Sequence, residues 1–299
     1  MDIRSQDGIL HISLMGGQAR AILIESTQMV QEAKRIHGLS RIATAALGRT
    51  LTATAMMGSM LKGKDESVTA SIKGGGPIGT VLAVANEKCE VKGYVGNPGI
   101  DLPRTGPKLP VGAAVGKSGR LTVIKDMHLR EPYVGQVNLV SGEIAEDFAM
   151  YFTASEQTPS LVSLGVLVSD ERVEAAGGLI VQVMPGATEA AIQSIENSAG
   201  MFMDISGTMK AYHLSGAVDQ LLMHLQPEVL ERRDTRYACD CSRARVERAL
   251  ITLGRDELGD MIEKQHGAQV DCHFCNKRYE FSEDDLRALL SAATRREDE

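Results

Sequence analysis

Apolar positions along this chain follow two periods, and the changes from one to the other mark out its elements. Residues 8–14 (Gly-Ile-Leu-His-Ile-Ser-Leu) and 20–24 carry the alternation and short apolar runs of strands. A helix is predicted over 26–37, with Ser26 or Thr27 as its cap and Gly38 just past its end. The Ala/Thr/Met-rich stretch 40–61 has helical periodicity but is apolar nearly all round, which predicts a buried central helix. β-type runs follow near 67–73, 79–85 and 90–96, closed by the turn Asn97-Pro98-Gly99, with further strands near 120–125 and 134–140. Residues 143–152 read as a helix and Val162–Val168 and Gly178–Val183 as strands, before Met184-Pro185-Gly186 breaks the chain.

Beyond that break the period turns helical from about 187 to 230, most clearly over Ala190–Ser198 and Val218–Leu225. Helices are then expected near 243–252 and 256–265, a short hairpin around Cys272–Cys275, and a last helix from Ser282 to about Thr294. Strands clustered early with helices interspersed predict an α+β fold rather than regular βαβ units. The expected organisation is a mixed sheet-and-helix core domain over 1–186, a helical linker over 187–230, and a small C-terminal domain over 231–299.

At 299 residues with 43% hydrophobic content the chain can bury a sizeable core, and no apolar run approaches the ~20 residues of a membrane helix. The net charge is −7, tryptophan is absent and aromatic content is 4%, which argues against a nucleic-acid partner. Met1 is followed by Asp-Ile-Arg-Ser-Gln-Asp, without the basic and apolar regions of a signal peptide, so a cytoplasmic location is expected. Charge is uneven: residues 231–299 hold 13 of the 32 Lys and Arg and 16 of the 39 Asp and Glu. Such a segment can bury little core of its own and should depend on another source of stability.

That source is legible in the cysteines. Four of the five form two close pairs, Cys239-Asp240-Cys241 and Cys272-His273-Phe274-Cys275. Sulfurs around one zinc sit only ~4 Å apart, a spacing that tight turns bearing such pairs can reach. Four thiolates are a soft tetrahedral donor set, suited to zinc or an iron–sulfur cluster, and zinc is the better reading, one ion per chain. A reducing cytosol disfavours permanent disulfides, and His273 reads as a solvated knuckle residue. Each pair could also close as a local disulfide if the metal left, with Cys239–Cys241 the more strained and more easily reduced. Cys89 is read as a small core or strand residue.

Two glycine-rich segments resemble phosphate loops and fail on context. Gly74-Gly75-Gly76-Pro77-Ile78-Gly79 is followed by the β-type run Thr80–Val84 where a dinucleotide site needs a helix. Gly112–Ser118 is one residue short of a P-loop and precedes another strand-like run, Arg120–Lys125. No hydrolase or metalloprotease motif occurs, so the chain is not expected to be an enzyme. Three alternatives stay open: a zinc-ribbon nucleic-acid binder, a thiol oxidoreductase using Cys272 and Cys275, and a constitutive zinc module without a switch.

The cysteine arrangement at the end of a chain of this size resembles the redox-regulated holdase chaperones of the thirty-three-kilodalton heat-shock protein family. The likeness extends upstream to Tyr151-Phe152-Thr153-Ala154-Ser155-Glu156-Gln157-Thr158-Pro159-Ser160, to Gly177-Gly178-Leu179-Ile180-Val181-Gln182-Val183-Met184-Pro185, and to Lys73-Gly74-Gly75-Gly76-Pro77. It implies that zinc held by Cys239, Cys241, Cys272 and Cys275 keeps the C-terminal domain folded and the chaperone off. Oxidation to Cys272–Cys275 and Cys239–Cys241 would release the ion, unfold the tail, loosen the linker and expose apolar surface. The implied partners are unfolding client proteins, held without ATP, and a second copy of the chain on activation. The resemblance supplies no client-binding residues.

Overall fold

The first alternating segments pair as a hairpin, β1 (Gly8–Leu14) with β2 (Ala19–Glu25), in this computed structural model, which describes residues 7–103, 106 and 108–297. Helix α1 (Thr27–His37) stops at Gly38, whose φ of 58° lets its amide reach back to the Lys34 carbonyl. Helix α2 (Arg41–Ser59) is capped by Ser40 Oγ, which accepts from the Ala43 amide, and is buried along almost its whole length. Its threonines can be buried because Thr50, Thr52 and Thr54 each donate to the carbonyl four residues earlier, leaving no hydroxyl unpaired.

Strands β3 (Ser67–Lys73), β4 (Thr80–Asn86) and β5 (Glu90–Val95) follow, then the short helix α3 (Val111–Val115) and strands β6 (Arg120–Asp126) and β7 (Tyr133–Asn138). Helix α4 (Ala145–Ala154) leads to β8 (Ser160–Val168) and β9 (Val173–Val183), and helices α5 (Glu189–Ser198) and α6 (Ile205–Leu222) come next. Two short strands, β10 (Glu228–Asp234) and β11 (Arg236–Tyr237), complete two sheets, ordered β10-β1-β2-β9-β8 and β11-β5-β4-β3-β6-β7. Helix α2 packs between them, burying Leu47, Leu51 and Met56 in one core with residues of both sheets. The opposite face of the five-stranded sheet forms a second core with α5, α6 and Phe202. The α+β class expected from the pattern is the class observed.

The two glycine-rich segments serve structure, and they serve each other. Gly74–Gly79 is the turn of the β3–β4 hairpin, and the amides of Gly76 and Ile78 donate to the carbonyls of Val115 and Ala114 at the end of α3. A Cβ at Gly76 would lie 2.3 Å from the Ala114 oxygen, so the approach needs glycine.

Strands β10 and β11 are absent from the expectation drawn from the sequence. Glu228–Asp234 has five charges in seven residues and is mostly exposed, so it carries no apolar alternation. It is a strand because it bonds to the free edge of β1, while Arg236–Tyr237 pairs parallel with β5. The chain consequently divides into compact units at 238/239, rather than at the expected start of the C-terminal domain at 231. Residues 187–230 are largely helical as expected, but α6 is broken at His213, where φ is 53° and ψ is −176°. The buried Glu25 carboxylate bridges the break, accepting from the Leu214 amide at 2.9 Å and meeting His213 Nδ1 at 2.9 Å.

In the second unit, residues 239–299, helix α7 (Arg243–Ile251) is capped by Ser242, and α8 (Arg255–Asp260) runs into a π turn over Met261–Gln265. Strands β12 (Gly267–Asp271) and β13 (Arg278–Ser282) form a two-stranded hairpin followed by helix α9 (Glu283–Glu297). Ser282 Oγ accepts from the Asp285 amide and the Asp285 carboxylate accepts from the Ser282 amide, so the serine expected as a cap is one.

Candidate metal centre

The two cysteine pairs sit on short irregular stretches whose backbone is set locally. Cys239 and Cys241 lie between β11 and the Ser242 cap of α7, and Asp240 between them pairs with Arg245 in the first turn of that helix. Cys272 and Cys275 occupy the turn of the β12–β13 hairpin. The Cys272 carbonyl accepts from the amides of Cys275 at 3.3 Å and Asn276 at 2.8 Å, and the Cys272 amide donates to the Lys277 carbonyl at 2.9 Å. Asn276 takes a left-handed φ of 57°, which turns the chain back into β13.

The turn and the segment before α7 bring all four Sγ atoms within 4.8 Å of one another. Two approaches cross between the pairs, 3.7 Å for Cys239 to Cys272 and 3.4 Å for Cys241 to Cys275. Sulfurs at ~2.3 Å from a tetrahedral ion are about 3.8 Å apart, so the cluster already has the dimensions of a metal's coordination sphere. All four are partly buried. These are the four residues singled out by sequence, and the structure brings every one of them together. His273 is exposed and is not among the four.

The thiols are not equivalent. Burial pushes Cys239 and Cys275 upward from the ordinary thiol value. Burial also opposes ionisation of Cys241, but hydrogen bonds from the Tyr279 hydroxyl and the neighbouring thiols outweigh it and bring Cys241 down to about 7. Tyr279 Oη lies 3.2 Å from Cys241 Sγ, and donating to that sulfur holds the phenol up at about 12. Cys89 stands apart: it is fully buried in the core of the first unit, where burial lifts its thiol to about 11. That is an inert side chain, as its isolation in the sequence predicts.

Sequence reasoning missed the residues that hold the cluster's frame. Arg243 lies 4.3 Å from the Phe281 ring centroid, donates to the Glu280 carbonyl at 2.8 Å and pairs with Asp285 at 3.0 Å, tying α7 to β13 and α9. Tyr279 was equally hidden, although its alternation with Phe281 on β13 marks both as inward-facing. The alternation shows that the ring is buried and says nothing of the hydroxyl's partner.

Among the described residues, no helix is long and apolar enough to cross a membrane. A family model described as Hsp33 protein matches residues 7–282. Relatives called 33 kDa chaperonin include that of Acetivibrio thermocellus, 47% identical over 289 residues that span 95% of this chain and 97% of the relative. Those of Clostridioides difficile and Alkaliphilus metalliredigens are each 45% identical, over 95% and 94% of this chain and 99% and 98% of their own length. The crystal structure of the 33 kDa chaperonin (heat shock protein 33 homolog) of Thermotoga maritima superimposes with a TM-score of 0.87 at 36% identity, covering 97% of this chain and 99% of that one. With a family match over nearly its whole length and two-layer likeness in sequence and structure, the chain belongs to the Hsp33 family.

Proposed function

We propose that this protein is a redox-regulated, ATP-independent holdase chaperone of the cytoplasm, switched by zinc loss. The observation that carries the reading is the convergence of four thiols within 4.8 Å in a unit whose buried apolar core is small. Cys239, Cys241, Cys272 and Cys275 would hold one Zn²⁺ per chain, which would supply the stability that the unit over residues 239–299 lacks. Structural zinc contributes roughly 10–16 kcal/mol, comparable to the ~5–15 kcal/mol stability of a whole domain.

Under peroxide each cysteine pair gives up two electrons. Two thiols and one H₂O₂ yield one disulfide and two waters, first at Cys272–Cys275 and then at Cys239–Cys241. Pairing within each short turn needs no intact module to hold the sulfurs together. The zinc donors are thereby lost and the weak-cored unit unfolds. Met201, Met203, Tyr212, Met223 and Leu230 of the attached linker over 187–230 are already exposed large apolar residues, and loosening of the linker would add to them. Freed apolar surface on the core domain over 1–186 would hold unfolding clients, and two activated copies would associate. No catalytic step and no nucleic-acid or membrane contact is involved.

Zinc and free thiols should be counted before and after peroxide alongside suppression of client aggregation. One zinc released, four thiols lost and activity gained is the expected result. A variant with all four cysteines changed to serine that still required peroxide would overturn the reading. So would zinc release without any gain in activity, which is the behaviour of a constitutive zinc module.

A further inference from the structure

One edge of the six-stranded sheet is β5, and it is covered by a strand of only two residues, Arg236–Tyr237. That is short against the roughly five or six residues of an ordinary strand. β11 runs parallel to β5, with Arg236 opposite Glu90 and Tyr237 opposite Val91. The Cys89 carbonyl accepts from the Arg236 amide at 3.5 Å and from Thr235 Oγ1 at 2.8 Å, and the Val91 carbonyl accepts from the Ala238 amide at 2.8 Å. The ladder stops there, and a side chain completes it. Tyr237 Oη donates to the Gly93 carbonyl at 2.8 Å and accepts from the Gly93 amide at 3.3 Å. One phenol therefore satisfies both backbone groups of a residue that the two-residue strand does not reach.

The tyrosine ring also has a seat. It packs against the main core, and His37 at the end of α1 meets it edge-on, with ring centroids 6.4 Å apart and Nε2 3.1 Å from the phenol oxygen. Helix α1 thus lies along one side of the strap and β5 along the other. Arg236 beside it is exposed and pairs with Glu90. The groove reads three things in an extended chain: its backbone groups, a cation opposite Glu90, and a phenol that reaches Gly93. Any polypeptide with the same chemistry can supply them. The strap itself is held by short pairing and by hydrogen bonds of modest net worth. Cys239, the first of the proposed zinc ligands, follows Ala238, and the second unit begins there. Unfolding of that unit would leave 235–238 as the frayed end of the first, still docked but displaceable.

We propose that the groove between β5 and α1 is a peptide-binding site plugged by the chain's own residues 235–238. Its ligand is an extended segment of an unfolding protein that presents a tyrosine preceded by a basic residue. The strap keeps the site shut in the folded chain. That zinc loss opens it to competition, and that the natural ligand is a client, rest on the proposed function, which this site deepens; the plugged groove itself does not.

The test uses the full chain, unsubstituted and as Tyr237→Ala and Tyr237→Phe. The probe is a labelled, end-blocked peptide copying residues 234–238, Asp-Thr-Arg-Tyr-Ala, beside an analogue with phenylalanine in place of its tyrosine. Exchange of the Gly93 amide should quicken about fivefold in both variants, with exchange in β3 and β4 unchanged. The parent peptide should bind Tyr237→Ala about tenfold more tightly than the unsubstituted zinc-loaded chain, because the plug has lost its anchor, and should restore protection at Gly93. The analogue should bind about fivefold more weakly than the parent. Absence of binding to Tyr237→Ala, equal binding of the two peptides, or Gly93 exchange indifferent to Tyr237 would overturn the proposal. Recovery of Gly93 protection with protein concentration alone, in the chelated chain, would name a second copy as the occupant and overturn it equally. Binding to Tyr237→Ala with no gain on chelating the unsubstituted chain would support the groove and count against the zinc switch. Failure of the holdase reading would show in the client-aggregation assay, which this peptide measurement does not involve.

Discussion

The first unit buries Phe148, Tyr151, Phe152 and Phe202 completely, inside cores that join two sheets and several helices. The second, among the described residues, buries six apolar side chains: Leu250, Leu258, Ile262, Tyr279, Phe281 and Leu286. Burial at ~25 cal/mol per Å² can carry the first through its conformational entropy cost, but a core of six side chains leaves little surplus. Four sulfurs stand where the second unit would otherwise need more core. On the zinc reading proposed above, its stability would be removable by chemistry that leaves the first unit intact, a separation that a single shared core would forbid.

Metal removal is the sharpest way to break the contrast. Stripping the proposed zinc with a chelator should cost the second unit on the order of 10 kcal/mol and unfold it. Limited proteolysis should then digest residues 239–297 while leaving 7–238 resistant. A tail that stayed compact without metal would put the six-residue core in charge and sink the switch.

A lesion in the first unit should do the reverse. Phe148, on α4, is fully buried, and Phe148→Ala should cost ~3–5 kcal/mol through the cavity it leaves. Urea unfolding of the first unit should shift to a lower midpoint, with zinc content and reactive thiols of the second unchanged.

How far this contrast could be read beforehand differs between the units for physical reasons. α2 was legible because an all-round apolar helix of small residues has few destinations other than a core. The thiol cluster was legible because four soft donors at fixed spacing have one dominant chemistry. β10 was not, since its pairing is made by backbone groups that any sequence carries, beneath an exposed run of charges. The break at His213 was hidden too, because Glu25, 188 residues away, supplies the partner that stabilises it. The phosphate-loop lookalikes were dismissed on the strands that follow them, and their docking on each other could not be seen from either alone.

A third effect is confined to the first unit and carries a pH dependence. Asp7 accepts from the amides of Gln28 at 3.0 Å and Met29 at 2.6 Å, at the start of α1. Burial raises its carboxyl to about 7, helped by nearby Glu25 and opposed by those amide donors. The folded chain therefore keeps a proton that the unfolded chain has released between roughly pH 4 and 7. Stability of the first unit should fall as pH rises through that window, at no more than ~1.4 kcal/mol per pH unit. Urea titrations at pH 5 and pH 7 should show the slope, and Asp7→Asn should flatten it. A slope that survives in Asp7→Asn would assign the effect to another group.

The smallest effect tests whether the second unit's frame tunes its sulfurs or merely holds them. Tyr279 does two things: its ring belongs to the six-residue core, and its hydroxyl donates to Cys241. Tyr279→Phe keeps the first and removes the second. Outer partners of metal ligands typically contribute 10–100-fold in affinity, and a single partly buried hydrogen bond to one of four ligands belongs at the low end. Zinc affinity measured by competition with a chelator should fall about tenfold, while thermal unfolding of the zinc-loaded protein changes little. An unchanged affinity would mean that the hydroxyl reaches Cys241 without stabilising its charged form. The metal would then bind through spacing alone, and the division between a unit held by packing and one held by its sulfurs would be cleaner still.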